Sequence, residues 1–205
     1  FHSLCAFISR SPGSTSLTTI RSMAYKNKVI RNPVTGQSIR FLQTSCDTEG
    51  QLLEMETTFA PHSIEPVPHY HPKQHETFVV LEGTLKVRFR GKVWTLQAGD
   101  QLEIPPRSIH SMWNAGSTKT VVNWKVQPAL STEYFLETGM GLACCGKVDE
   151  KGMPPVLQTA LLARYYRNVF RIAKPPYAVQ KVLFGLLSPF SKLAGYKAVY
   201  NEYID

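Results

Sequence analysis

Four side chains in this 205-residue sequence have the types and spacing to do metal chemistry: His69, His71, Glu76 and His110. The first three fall in PHYHPKQHETFVVLEG, residues 68–83, and the fourth in GDQLEIPPRSIHSMWN, residues 99–114. His69 and His71 are two apart, so on an extended strand both imidazoles project from one face. Glu76 follows a short PKQH turn and starts the next apolar run, while His110 sits on a later run. Three neutral imidazoles and one carboxylate make a borderline donor set, suited to one divalent transition metal among Fe, Mn, Ni, Cu, Co and Zn. With a single anionic donor the complex stays cationic, ready to bind an anionic substrate or polarise an oxygen. His75 competes with Glu76 for the fourth place. Strand alternation favours Glu76, which shares a face with the apolar Phe78 and Val80. His2 and His62 have no partners at ligand spacing.

The elements that must position these groups are short strands. Between Val29 and Val126 the runs SIRFLQTS, QLLEMETTF, HETFVVLEG, TLKVRFRG, KVWTLQ, DQLEIP, IHSMWN and KTVVNWKV alternate with turn signals such as Glu82-Gly83, Ala98-Gly99 and Pro105-Pro106. Regular spacing of this kind predicts an antiparallel sandwich or barrel. Alternation sets Leu53, Met55 and Thr57 opposite Glu54 and Glu56, and Leu85, Val87 and Phe89 opposite Lys86, Arg88 and Arg90. It also turns Met55, Phe78, Met112 and Trp124 inward as candidate substrate-pocket residues. An interior this apolar prefers an aromatic or otherwise hydrophobic small molecule to a sugar.

After Pro128 the pattern becomes helical. Apolar positions at 157, 161, 165, 169 and 172 predict one helix over residues 154–173, with Pro175 and Pro176 ending it. Residues 177–194 form a second amphipathic segment, which Pro189 is expected to kink or divide. The apolar stripes are expected to pack on the barrel or on a dimer mate, leaving Arg164, Arg167, Arg171, Lys174 and Lys181 as a solvated face. An anionic membrane surface is the other reading of such basic amphipathic helices. The expected organisation is a disordered or targeting segment at 1–22, a β-barrel at 23–128, and a linker with a helical extension at 129–205.

Charge follows the same division. The chain carries 23 Lys and Arg against 15 Asp and Glu, but residues 151–205 hold eight of the bases against only Glu202 and Asp205. The barrel is nearly neutral, and no nucleic-acid-reading motif is present, so nucleic acid is not an expected partner. No apolar run reaches the roughly 18 residues a membrane-spanning helix needs. Cys5, Cys46, Cys144 and Cys145 form no CxxC pair, so a reducing compartment is the default. The expected location is cytoplasmic. It becomes mitochondrial or plastid if residues 1–22, which hold Arg10 and Arg21, many Ser and Thr and no acid, are a transit peptide.

The two metal-bearing stretches read H-x-H-x4-E-x6-G, from His69 to Gly83, and G-x5-P-x-R-x2-H-x3-N, from Gly99 to Asn114. In that order and spacing they resemble the two motifs of the cupin superfamily, over about residues 50–127. The resemblance implies an all-β-dominated fold, a cupin jelly-roll β-barrel, with the C-terminal α-helical extension added. It also implies that His69, His71, Glu76 and His110 bind the metal inside the barrel, and that the chain forms a homodimer. The activity it implies is a metal-dependent dioxygenase acting on a small-molecule substrate, with Glu76 doubling as ligand and general base. An isomerase or lyase would use the same ligands, and a non-catalytic binding module is the alternative. Arg107 departs from the family pattern, which usually has Gly in that turn. Little ahead of His69 matches the start of the first motif.

Overall fold

Apolar residues at every second position build two antiparallel sheets that enclose a core between them. The computed structural model describes residues 24–203, so the expected segment at 1–22 lies outside the described residues. One six-stranded sheet runs β1–β2–β3–β10–β5–β8, formed by Val29–Arg31, Ser38–Gln43, Leu53–Phe59, Thr120–Gln127, His75–Glu82 and Gln101–Ile104. The second is five-stranded and runs β11–β4–β9–β6–β7, formed by Arg171–Ile172, His69–Tyr70, His110–Trp113, Thr84–Phe89 and Lys92–Gln97. Every run read as a strand from the sequence is one. On β3 the buried positions are Leu53, Met55, Thr57 and Phe59, and on β6 they are Leu85, Val87 and Phe89. These are the faces that alternation assigns.

Gly83, between β5 and β6, is left-handed with φ +78, and a Cβ there would sit 2.5 Å from the Lys119 carbonyl oxygen. Only glycine satisfies both demands. Arg107 is also left-handed, at φ 66. The turn does call for the glycine usual in the cupin pattern, and its backbone N–H donates to the His71 carbonyl at 2.8 Å.

The C-terminal part departs from expectation in three ways. Helix α1, Thr132–Cys144, was not legible, because its stripe is interrupted by Gly139 and Gly141 and its buried face carries Glu133 and Glu137. Gly141 is required there, since a Cβ would overlap the Tyr203 ring. The helix expected over 154–173 stops early: α2 spans Val156–Tyr165, and the chain then turns, with Val169 N–H donating to the Tyr166 carbonyl at 2.8 Å. Residues 171 and 172 become β11, pairing Arg171 with Tyr70 and Ile172 with His69. The apolar positions 169 and 172 suit a helix locally, but the open edge of β4 offers hydrogen bonds, and Ala173 N–H donates to Pro68 O.

The third departure is in α3, Tyr177–Leu193, which continues as one helix past Pro189 and is not divided by it. Proline leaves the Gly185 carbonyl without its helical donor, and the Arg164 guanidinium reaches it from α2 at 3.3 Å. Nor does the apolar stripe of α3 pack on the barrel. The buried positions of this helix are Gln180, Ser188 and Ser191, while Val179, Val182, Leu183, Leu186, Phe190 and Leu193 are exposed. A 3-10 turn at Asn201–Tyr203 closes the described chain.

Candidate metal centre

Two short strands of the second sheet set the histidines. β4 pairs with β9 through one register, His69 opposite His110, which puts two imidazoles side by side with ring centroids 4.5 Å apart. His71 lies just past the end of β4, held by its carbonyl bond from Arg107 N–H. Its ring still turns toward the other two, and one nitrogen from each of His69, His71 and His110 falls within 4.8 Å of the others. Glu76 approaches from the opposite sheet on β5, where Glu76, Phe78 and Val80 face inward. Its Oε2 lies 3.2 Å from His71 Nε2 and 3.1 Å from His110 Nε2. His75, next in sequence, points the other way, with Nε2 3.7 Å from Glu103.

The outer nitrogens are all occupied. Nδ1 of His69 bonds to Val67 O at 3.1 Å, Nδ1 of His71 to Val169 O at 2.6 Å, and Nδ1 of His110 to Ser108 O at 3.0 Å. Because a carbonyl only accepts, each Nδ1 carries the proton, and in the neutral ring Nε2 keeps its lone pair. Trp124 donates from Nε1 to Glu76 Oε1 at 3.0 Å, which orients the carboxylate. Backbone carbonyls behind metal-binding imidazoles, with a donor behind the carboxylate, form the usual outer layer of a metal site. The inner atoms have nothing to match them. His71 Nε2, His110 Nε2 and Glu76 Oε2 are buried without a hydrogen-bond partner among the described residues. Three buried polar atoms left facing one another are costly unless something joins them, and a divalent cation fits this donor set.

Electrostatics agree with that assignment. Burial opposes ionisation of Glu76, yet the imidazoles of His71 and His110 hold its pKa down at about 2. Burial lowers His71 and pushes His69 well below the ordinary histidine range, with the neighbouring imidazoles adding to the effect at His69. Burial also disfavours the charged form of His110, but the Glu76 carboxylate outweighs it and raises that pKa. The site therefore pairs a Glu76 carboxylate with His69 and His71 imidazoles held toward the neutral form and a His110 imidazole held toward the charged one.

These donors open into an apolar cavity of about 310 Å³, walled on the barrel side by Phe59, Phe78, Met112, Val122 and Trp124. Of the expected pocket residues, Phe78, Met112 and Trp124 line it. Met55 does not: it is fully buried in a neighbouring core cluster with Ile39, Phe41 and Leu53. The amide of Asn114, the last residue of the second motif, ties the turn after β9 to Ala60 O and Thr118 O.

The extension supplies the rest of the wall. Phe170 stacks on His69 at 4.7 Å and 26°, and on Phe135 of α1 at 4.9 Å and 28°. Beyond them an apolar chamber of about 230 Å³ continues between Leu162, Ala163, Tyr166 and Ile172, meeting the first cavity at His69 and Phe170. Val169 and Phe170 were missed from sequence. One acts through its backbone carbonyl, which leaves no side-chain signature, and both lie in a stretch that reads as helix.

Comparison with known proteins bears on the same residues. Residues 55–124 match the family model described as cupin domain. A putative germin-like protein 9-2 from Oryza sativa subsp. japonica is 32% identical over 89 residues, covering 41% of this chain and 37% of its own length. Quercetin 2,3-dioxygenase of Bacillus subtilis is 29% identical over 107 residues, covering 52% of this chain and 31% of its own. Across the curated relatives it matches, this chain spans 29% to 44% of their lengths. Among solved structures, an RmlC-like cupin from Shewanella frigidimarina aligns with a TM-score of 0.44 and 21% identity, over 54% of this chain and 93% of that one.

Proposed function

This chain carries a cupin domain at residues 55–124, and from that premise we propose that it is a metal-dependent enzyme of dioxygenase type, acting on a small, largely apolar, oxygen-bearing molecule. One observation carries the reading: buried, unpartnered donor atoms of His71, His110 and Glu76 converge where an otherwise apolar cavity ends. Local similarity to quercetin 2,3-dioxygenase supports the reaction class.

In this reading His69, His71, Glu76 and His110 hold one divalent transition ion. When bound, the ion supplies Lewis-acid polarisation of a substrate oxygen and, for its redox-active choices, electron transfer. The chain's own contribution is positional and electrostatic. Phe78, Met112, Val122 and Trp124 exclude water and seat an aromatic or otherwise apolar body. Trp124 holds Oε1 of Glu76 and so aims Oε2 at the imidazoles, and the same carboxylate serves as anionic ligand and as acceptor of a substrate's hydroxyl proton.

Oxygen uptake by Fe-, Mn- or Ni-loaded protein against a panel of phenolic and enolic compounds tests the proposal. Substrate-dependent uptake is expected, lost in Glu76→Gln. Silence across the panel, together with tight binding of its members, would contradict catalysis and leave a small-molecule-binding module. We also propose that the chain works as a homodimer, because strand β7 is a sheet edge with Val93 and Trp94 about half exposed. A monomer on gel filtration would contradict this.

A further inference from the structure

The last helix shows the reverse of the burial that an amphipathic helix gains by packing. On α3 the side chains turned inward are Gln180, Ser188 and Ser191, with Ser191 Oγ donating to Leu157 O of α2 at 2.7 Å. The side chains turned outward are Val179, Val182, Leu183, Leu186, Phe190 and Leu193, with Leu186 67% exposed, Phe190 62% and Leu193 86%. Their spacing of three and four keeps them on one stripe, which runs about 20 Å along the helix at 1.5 Å per residue. A contiguous exposed stripe of this kind marks a surface that meets something else.

The charges beside the stripe say what that is. Arg164 from α2, Arg167 from the turn that follows it and Lys181 from α3 line one groove between the two helices, and Lys192 joins Arg164 and Arg167 in a second. All four are exposed, and none of them forms an ion pair among the described residues. From Lys151 to Asn201 the sequence contains no Asp or Glu. A second copy laid on this face in twofold fashion would set cation against cation. A surface of anionic headgroups over hydrocarbon matches both the groove and the stripe.

We propose that the α2–α3 pair is a docking site for anionic phospholipid. α3 lies in the plane of the membrane surface with Leu183, Leu186, Phe190 and Leu193 inserted, while Arg164, Arg167, Lys181 and Lys192 meet lipid phosphates. No described helix is long and apolar enough to cross a membrane, so the contact is peripheral. The site is separate from the metal centre and does not depend on the catalytic reading.

The test uses the full chain and sedimentation with vesicles, either of phosphatidylcholine alone or of phosphatidylcholine and phosphatidylserine in equal parts. Binding to the mixed vesicles is expected to exceed binding to the neutral ones by at least about tenfold and to weaken in high salt, as screened headgroup contacts do. Leu186→Gln with Phe190→Gln, and separately Arg167→Glu with Lys181→Glu, should each abolish it while far-UV circular dichroism and metal content stay unchanged. Phe190→Trp should retain binding and show a blue-shifted emission on adding mixed vesicles. Equal binding to both vesicle types, binding to neither, or Leu186→Gln/Phe190→Gln protein that binds undiminished would overturn the proposal. A dimer that the same double variant converts to monomer, without vesicle binding, would assign the face to a second copy instead.

Discussion

Glu76 is where two sheets, two imidazoles and an indole meet, and each contact has a separate consequence. Its Oε1 is fixed by Trp124 and its Oε2 faces His71 and His110. Trp124→Phe keeps the wall but removes the donor, and removing such an outer partner costs about 10–100-fold in metal affinity. A competition titration with a coloured chelator would measure the loss, and unchanged affinity would show that the indole only packs. A second buried carboxyl works differently. Burial lifts Glu137 from its ordinary 4.5 to about 7, outweighing Lys28 Nζ at 2.8 Å. Between those values the folded chain binds more protons than the unfolded one, so this group makes stability fall as pH rises from 4.5 to 7, then level off. The effect is at most a few kcal/mol. Glu137→Gln is expected to remove that slope from thermal midpoints measured across the window, and an unchanged slope would contradict the assignment. The candidate donor side chains stand out in sequence because ligand chemistry restricts such groups to few residue types. The carbonyls behind them were not, since Val67, Ser108 and Val169 act through backbone atoms that any residue possesses.

Strands and helices differ in how much of themselves the sequence reveals. Each barrel strand has one buried face, so alternation locates both the strand and its inward residues. Met55 shows the limit: facing inward places a residue in the core, but which core layer it joins depends on sheet curvature that alternation does not encode. The extension was harder because its elements answer to partners distant in sequence. β11 exists because the edge of β4 is open to pairing about 100 residues earlier, and α1 buries acids that lone-helix reasoning places outside. β11 matters to the metal centre because it carries Phe170 onto His69 at one end. Phe170→Ala should destabilise the fold by about 1–3 kcal/mol, less than a fully buried ring would because Phe170 is half-buried. It should also quicken metal loss to chelator, since His69 loses the ring packed against it. A stability drop with metal retention unchanged would make Phe170 plain packing.

At the scale of the whole molecule the chain is a barrel whose open end is finished by its own C-terminal extension. The extension gives a carbonyl to His71, a ring to His69 and an apolar chamber to the cavity, while turning a cationic, apolar-striped face outward. The core clusters of the two sheets do not require the ion for their packing, so chelated protein should remain folded with a lower thermal midpoint. Ligation at a hundredfold excess over Kd adds about 2.7 kcal/mol. Everything functional rests on the four donors sharing one ion, and elemental analysis of protein purified without chelator addresses that most directly. The expected result is close to one equivalent of a single transition metal per chain, falling to background in His71→Ala and His110→Ala while His75→Ala keeps it. Protein that is folded but free of transition metal, or whose metal content ignores these histidines, would contradict the account.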